Sequence, residues 1–227
     1  MLIEWEYIPE NIRNDKVKEY YNILLRRKKS LILKRIFDII FSSIMLIFLL
    51  PFFVIIGVFI KLDSKGPIFF KQTRVTQYGI NFKIYKFRTM VNNADKIGSK
   101  VTVDNDIRIT RVGKLLRGLR LDEMPQLINV LIGEMSFVGT RPEVVKYVNK
   151  YNDEMKATLL LPAGITSNAS IEYKDEASLL INCDNVDEVY IKKILPEKMK
   201  YNLDSIKNFT FLGDIKTMFK TVIALIK

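Results

Sequence analysis

Ile36 to Ile60 reads IFDIIFSSIMLIFLLPFFVIIGVFI, and Asp38 is its only charged residue. As a straight helix such a run spans a hydrocarbon core of about 30 Å. A secretory signal peptide describes it poorly, because the run begins late, is too long for a signal core and is followed by no small-residue cleavage site. Its flanks are unusual for a span. Arg26, Arg27, Lys28, Lys29, Lys34 and Arg35 precede it, and Lys61, Lys65, Lys71 and Arg74 follow it. Positive charge stays on the cytoplasmic side of a membrane, so a crossing helix shows an asymmetry that is missing here. Pro51 lies past the middle, where it removes a backbone donor and crowds the preceding turn. Together these favour a re-entrant helix hairpin over residues 31–61, broken at Pro51 and leaving the bilayer on the face it entered. Ser42 and Ser43 are placed to help the carbonyls freed at such a break. The competing reading is a single kinked span with residues 1–30 outside, which would require Arg26 to Lys29 to be translocated.

The rest of the chain bounds the function. A length of 227 residues fits one domain and an attachment. The formal net charge of +11 points to negative partners: nucleic acid, phosphorylated small molecules or anionic headgroups. Cys183 is the single cysteine, which excludes an intramolecular disulfide and reads as a buried, inert thiol. Histidine is absent, so Ser-His and Cys-His nucleophile pairs and the common zinc sites are excluded. Chemistry must rest on carboxylates, Lys, Arg, Tyr, hydroxyls or an oxygen-liganded metal. Residues 1–30 mix charge with Trp5, Tyr7, Tyr20 and Tyr21, which suits an interfacial helix or a solvated tail.

Residues 62–227 read as a compact, mostly helical α/β domain with one small β-hairpin. Ile68 to Gln72 and Phe82 to Phe87 are rich in β-branched and aromatic residues, with Tyr78-Gly79 between them. Val112, Leu115, Leu116 and Leu119 mark one face of a helix. Arg108, Arg111, Lys114, Arg117 and Arg120 recur every third residue and would make a basic ridge, either a solvated face or a contact for headgroups and phosphates. Next comes LRLDEMPQL, residues 119–127. Asp122 suits an N-cap, Glu123 a first turn and Pro125 an early helical position, so the acidic pair alone reads as a helix start. Ser136 to Glu143 forms a glycine-containing loop in which Arg141 stands before a stiffening Pro142. Helical patterns follow over 144–161 and 175–195, with a turn at Pro162-Ala163-Gly164 and a break at Leu195-Pro196. The segment Asp214 to Lys227 is basic and amphipathic, fit to pack on the domain or lie on lipid.

Several separated motifs coincide in order and spacing. They are Lys34-Arg35-Ile36-Phe37-Asp38, Gly66-Pro67-Ile68-Phe69-Phe70 with Gln72 and Arg74, and Tyr85-Lys86-Phe87-Arg88-Thr89-Met90. Further along are Arg108 to Gly113, Leu121-Asp122-Glu123 with Pro125-Gln126-Leu127 and Asn129-Val130-Leu131, and Met135 to Gly139 with Arg141-Pro142. From about Lys34 onward the chain resembles the monotopic phosphoglycosyl transferases, the bacterial sugar transferases that start assembly of capsule, exopolysaccharide, O-antigen and glycoprotein glycans. The resemblance implies a membrane helix broken at Pro51 and an active site at the cytoplasmic face of the inner membrane. It implies Asp122 as nucleophile and Glu123 with a Mg2+ site to which Asp122 also contributes. Lys86, Arg88, Arg117, Arg141 and Pro142 become the substrate-binding set. The implied partners are a UDP-sugar, undecaprenyl phosphate and inner-membrane lipid headgroups, with a homodimer possible and no nucleic acid, since a nucleic-acid binder has no need of the acidic pair. Departures from the family pattern are Leu50 for a serine, Thr76 for a glycine and Thr140 for a proline. Thr166-Ser167-Asn168-Ala169-Ser170-Ile171 also differs from the family's usual continuation near the substrate pocket, which bears on sugar preference rather than on activity.

Overall fold

Asn14 opens the first helix, its side chain accepting from the Val17 amide at 2.9 Å to cap α1 (Asp15–Arg26). The structure is a computed structural model that describes residues 2–92, 94, 106–174 and 185–226. Val17, Tyr20, Tyr21 and Leu24 recur at helical spacing, and all are buried in one core with Leu160, Leu195 and Met199. Tyr20 donates to Glu154 at 2.6 Å, and Trp5 packs edge-on against Tyr21 with ring centres 5.3 Å apart. Of the two expectations for residues 1–30, the solvated tail is therefore corrected, since one face of α1 is packed in the core. Aromatic and basic composition suits an interface and a core equally, and the partners that decide between them lie far along the chain.

Helix α2 (Lys28–Asp63) runs continuously through Pro51, so the expected break is not a break in the helical backbone. Ser42 donates to the Asp38 and Ile39 carbonyls, at 2.5 and 3.2 Å, and does not serve the turn beside Pro51. The start of α2 is clamped to the domain. Lys34 donates to the Val138 carbonyl at 2.7 Å and pairs with Asp214, and Arg35 donates to the Val130 and Leu131 carbonyls at 2.7 and 2.8 Å. Asp38 accepts from the Phe137 amide at 3.2 Å. The other end is held as firmly: Asp63 accepts from the Val112 amide at 2.9 Å, and Arg88 donates to the Ser64 carbonyl at 2.6 Å. Both ends of α2 thus sit on the same globular body. Between them Ile47, Phe48, Leu50 and Phe52 are exposed. Among the described residues α2 is the one helix long and apolar enough to cross a membrane.

The hairpin forms as expected. Strands β1 (Phe69–Val75) and β2 (Asn81–Phe87) pair antiparallel, with Phe69 opposite Phe87 and Val75 opposite Asn81. A second sheet was not foreseen: β3 (Met135–Val138) and β4 (Ala163–Thr166) pair in parallel where a loop and a turn were expected. Just beyond β3 the chain crosses β4 so closely that a Cβ on Gly164 would lie 2.1 Å from the Gly139 nitrogen, so both glycines are required by packing. Thr76, standing where the family has glycine, donates to the Glu134 carbonyl at 2.6 Å and accepts from the Ala163 amide at 3.1 Å. Its hydroxyl ties the hairpin to the parallel pair.

Seven further helices complete the described fold: α3 (Arg111–Gly118), α4 (Gln126–Ile132), α5 (Val145–Val148), α6 (Asn168–Glu172), α7 (Val186–Val189), α8 (Leu195–Lys207) and α9 (Phe211–Ile226). The helical pattern over 144–161 resolves into α5 and a 3-10 segment, Met155–Leu160. Of the helix expected over 175–195, residues 175–184 and with them Cys183 lie outside the described residues. The remainder is α7, then a π-helical turn, Tyr190–Ile194, that continues directly into α8. Pro196 therefore does not end a helix; it occupies the first turn of α8, where a missing N–H is tolerated. Helix α9 packs one face on the domain, with Phe211 edge-on to Phe37 at 5.7 Å and the Thr221 hydroxyl 2.7 Å from that of Thr166. Leu212, Phe219, Val222 and Ile223 on α9 are exposed, as are Leu115 and Leu119 on α3, so only Val112 and Leu116 of the expected α3 face turn inward.

Candidate active site

Arg120 ends the α3 region in a left-handed conformation, φ +56°, which is uncommon for a residue with a side chain. That turn delivers the chain into a 3-10 turn, Leu121–Glu123, followed by α4. Asp122 is consequently not the N-cap of α4; that position falls to Pro125, which offers no side-chain cap. Sequence rules place the helix start early because Asp is a good cap, but a prolyl residue three positions later sets the actual boundary.

The dyad faces the hairpin. Lys86 on β2 donates to Oε1 of Glu123 at 2.6 Å, and Arg141 donates to the same oxygen at 2.9 Å. Burial works against the charge of Glu123, but Arg141 and Lys86 outweigh it and hold the carboxyl far below the usual range. Burial also pulls the Lys86 ammonium down, with Glu123 opposing. Asp122 responds differently. Burial, and then the adjacent Glu123 charge, push its carboxyl up, against Lys86 and Arg117. Arg117 is oriented by its Nε, which donates to the Thr89 hydroxyl at 2.9 Å.

Two residues hold these groups in register. Asn129, fully buried, accepts from the Tyr85 amide at 3.0 Å and donates to the Lys83 carbonyl at 2.9 Å and to Glu134 at 2.7 Å. Its amide acts as a one-residue strand against the free edge of β2, fixing α4 beside the strand that carries Lys86. Arg74 donates to the Pro142 carbonyl at 3.2 Å and to Gln72 at 2.7 Å, bracing the Arg141-Pro142 corner. Neither was singled out as a site residue from sequence. The alternation of Gln72 and Arg74 along β1 was the available signal for Arg74, and the motif Asn129-Val130-Leu131 was the one for Asn129.

Of the expected substrate-binding set, Lys86 and Arg141 bond Glu123, the charge of Arg117 acts on Asp122, Pro142 follows Arg141 with its carbonyl held by Arg74, and Arg88 lies apart. Arg88 is buried, and its guanidinium donates to the Lys65 carbonyl at 3.1 Å and to the carbonyl and hydroxyl of Ser64 at 2.6 and 2.9 Å, closing the end of α2. The basic ridge also dissolves. Arg108 precedes α3, is buried and pairs with Asp106, and Arg120 follows α3, leaving Arg111, Lys114 and Arg117 on the helix. A repeat of three does not follow the 3.6-residue turn, so the five could not share one helical face.

Among the described residues no group of three or more His, Cys, Asp or Glu side chains is placed to hold a metal. Asp122 and Glu123 offer two carboxylates, a donor set that suits Mg2+ when substrate phosphates and water complete the coordination.

The sequence model for bacterial sugar transferases matches residues 29–227. The chain belongs to the bacterial sugar transferase family. The chain is 35% identical over 193 residues to the UDP-N-acetylgalactosamine-undecaprenyl-phosphate N-acetylgalactosaminephosphotransferase of Aeromonas hydrophila, covering 84% of the chain and 43% of that relative. It is 36% identical over 199 residues to the UDP-glucose:undecaprenyl-phosphate glucose-1-phosphate transferase of Klebsiella pneumoniae, covering 85% of the chain and 40% of the relative. Its identity to the exopolysaccharide production protein ExoY of Sinorhizobium fredii is 30% over 204 residues, covering 83% of each. The chain thus spans about two fifths of the length of the first two relatives. Helix α1 lies outside the family match although it shares the core with α8.

The divergent stretch at 166–171 is engaged internally. Ser167 caps α6 through the Ser170 amide at 3.0 Å, and Asn168 donates to Ser205 at 3.2 Å. Its polar side chains serve the docking of α8 and α9.

Proposed function

We propose that this protein transfers a phosphosugar from a UDP-sugar to undecaprenyl phosphate at the cytoplasmic face of the inner membrane, the first membrane step of a surface-glycan pathway. The observation that carries the reading is the pairing of a free carboxylate with a neutralised one: no side chain among the described residues donates to Asp122, whereas Glu123 is held by Lys86 and Arg141. A carboxylate oxygen of Asp122 attacks the sugar-proximal phosphorus, the bond to the UMP oxygen breaks, and UMP leaves with the electron pair. The mixed anhydride remains reactive enough to pass the group on. An oxygen of undecaprenyl phosphate then attacks the same phosphorus and the Asp122 carboxylate is released unchanged.

Two anions at 4 Å repel by about 4 kcal/mol at an effective dielectric of 20, so approach to Asp122 needs local positive charge. Arg117 and Arg141 supply it, and Lys86 offsets the charge of Glu123. Asp122 and Glu123 would hold Mg2+, which would supply further charge neutralisation.

What supports a one-leaflet arrangement is α2: both of its ends are bonded to one body, which favours an apolar middle that enters and leaves the bilayer on the same face. The exposed apolar residues of α3 and α9 suit the headgroup boundary. Such an arrangement would bring the dyad to the level at which a polyprenyl phosphate is met.

The two first relatives named above use different sugars, so the donor is left to measurement: UMP release from a panel of UDP-sugars, with and without undecaprenyl phosphate. Sugar-dependent release is expected, with Asp122→Asn reducing it at least about 10³-fold. Release by Asp122→Asn at the parent rate overturns the nucleophile.

A further inference from the structure

Two residues beyond Arg141 the chain buries a carboxylate the chemistry above does not use. Glu143 is 6% exposed, and its Oε1 accepts from the Tyr190 hydroxyl at 2.5 Å. The ammonium of Lys198, 4% exposed, lies 3.5 Å from the same oxygen and donates to the Tyr190 hydroxyl at 3.1 Å. Buried ionic groups of this kind seldom add net stability over apolar residues of similar volume; where they are kept for a purpose, direction and register are the best attested ones. Here the direction is toward the site. The Glu143 carbonyl accepts from the Val75 amide at 3.0 Å, so side chain and backbone both pin the residue that follows Arg141-Pro142.

The helix holding the other two groups is built to bring them together. Tyr190 and Lys198 are eight positions apart, which in an uninterrupted α-helix displaces them by about 80° around the axis. The π-helical turn Tyr190–Ile194 absorbs one extra residue, which reduces the offset to about 20° and aligns both on Glu143. Lys198 accordingly sits 5.2 Å from the centre of the Tyr190 ring.

We propose that Glu143, Tyr190 and Lys198 form a latch that positions Arg141 against Glu123 and the substrate diphosphate, and that the π-helical turn exists to close it. These are positioning residues, acting through Arg141, and the inference rests on the reading of Arg141 as a diphosphate ligand. It links the reacting groups to the core that α1 and α8 share.

The test is a double-mutant cycle on UMP release by the full chain, using Tyr190→Phe, which keeps the ring and removes the donor, with Arg141→Ala. Tyr190→Phe is expected to lower kcat/KM about 10-fold in the parent and less than about twofold in the Arg141→Ala background, since only coupled groups depart from additivity. Equal factors in the two backgrounds overturn the latch. Hydrogen exchange on the same variants supplies a readout that needs no turnover: faster exchange in Tyr190→Phe is expected over residues 139–145 and not in the hairpin. Unchanged exchange there overturns the proposal. If the parent releases no UMP from any donor, the functional reading fails by itself, and exchange still decides whether the latch holds the Arg141 corner. Glu143→Gln, which keeps an acceptor for Tyr190, should fall between the parent and Tyr190→Phe in both measurements.

Discussion

Lys86 and Arg141 meet on one atom, Oε1 of Glu123, at 2.6 and 2.9 Å. One comes from a hairpin strand and the other from the loop after β3, so a single carboxylate joins the two sheets. Lys86→Met or Arg141→Met alone leaves Glu123 one cation, and each should lower kcat/KM by about 100-fold. Removing both leaves a largely buried charge uncompensated. The double variant should lose about 2–4 kcal/mol, more than the sum of the singles, by urea midpoint. Strict additivity in the urea series would contradict the shared-atom arrangement.

Asn129 satisfies both faces of its amide, accepting from Tyr85 and donating to Lys83 and Glu134. Asn129→Asp exchanges the donor for a second acceptor and sets it against the Lys83 carbonyl and the Glu134 carboxylate. A loss of about 2–3 kcal/mol is expected from the orphaned groups alone. Thermal and urea unfolding measure it, and a cost below about 0.5 kcal/mol, the range of ordinary surface changes, would show that the strand edge is not closed by this side chain.

Leu24 is fully buried in the core shared with α8, and its neighbour Leu25 is exposed. Leu24→Ala should cost about 2–5 kcal/mol. Leu25→Ala should stay within about 0.5 kcal/mol. Equal small effects would return α1 to the status of a loosely attached segment.

The hydrogen bond from Arg108 holds the Asp106 carboxyl down at about 2, against the ordinary 3.8. A group whose folded value is depressed contributes stability that is complete above the unfolded value and is lost as pH falls through the folded one. Asp106→Asn should therefore be less stable than the parent at neutral pH, and the gap should narrow between about pH 4 and pH 2. Urea midpoints across that range check the sign; a gap that widens toward acid would reverse the assignment.

The hairpin was legible because its two β-rich runs and the turn at Tyr78-Gly79 are local signals. The dyad was legible as chemistry only through the spacing of separate motifs, since Asp122 and Glu123 alone satisfy every rule for a helix start. The parallel β3–β4 pair was hidden: each strand is four residues long, and its partner lies beyond a crossover that no local pattern announces. Arg88 was assigned to substrate through the resemblance, in which it shares one motif with Lys86. The structure separates them by where the strand ends, so that Arg88 turns toward α2 while Lys86 turns toward Glu123. The burial of α1 could not be read from residues 1–30 by any periodicity, because a helix face that fits lipid fits a core as well.

The shared core of α1 and α8 also sets an order of events. During synthesis α2 emerges and can enter the bilayer while α8, encoded far downstream, does not yet exist. At roughly 5–20 residues per second, some ten to forty seconds pass before α1 meets the helix it packs against. Until then the apolar side of α1 has no native cover, and the charges of Arg26 to Lys29 are what oppose its passage across a bilayer. Helix α8, made late, thus supplies the cover that α1 lacks until then.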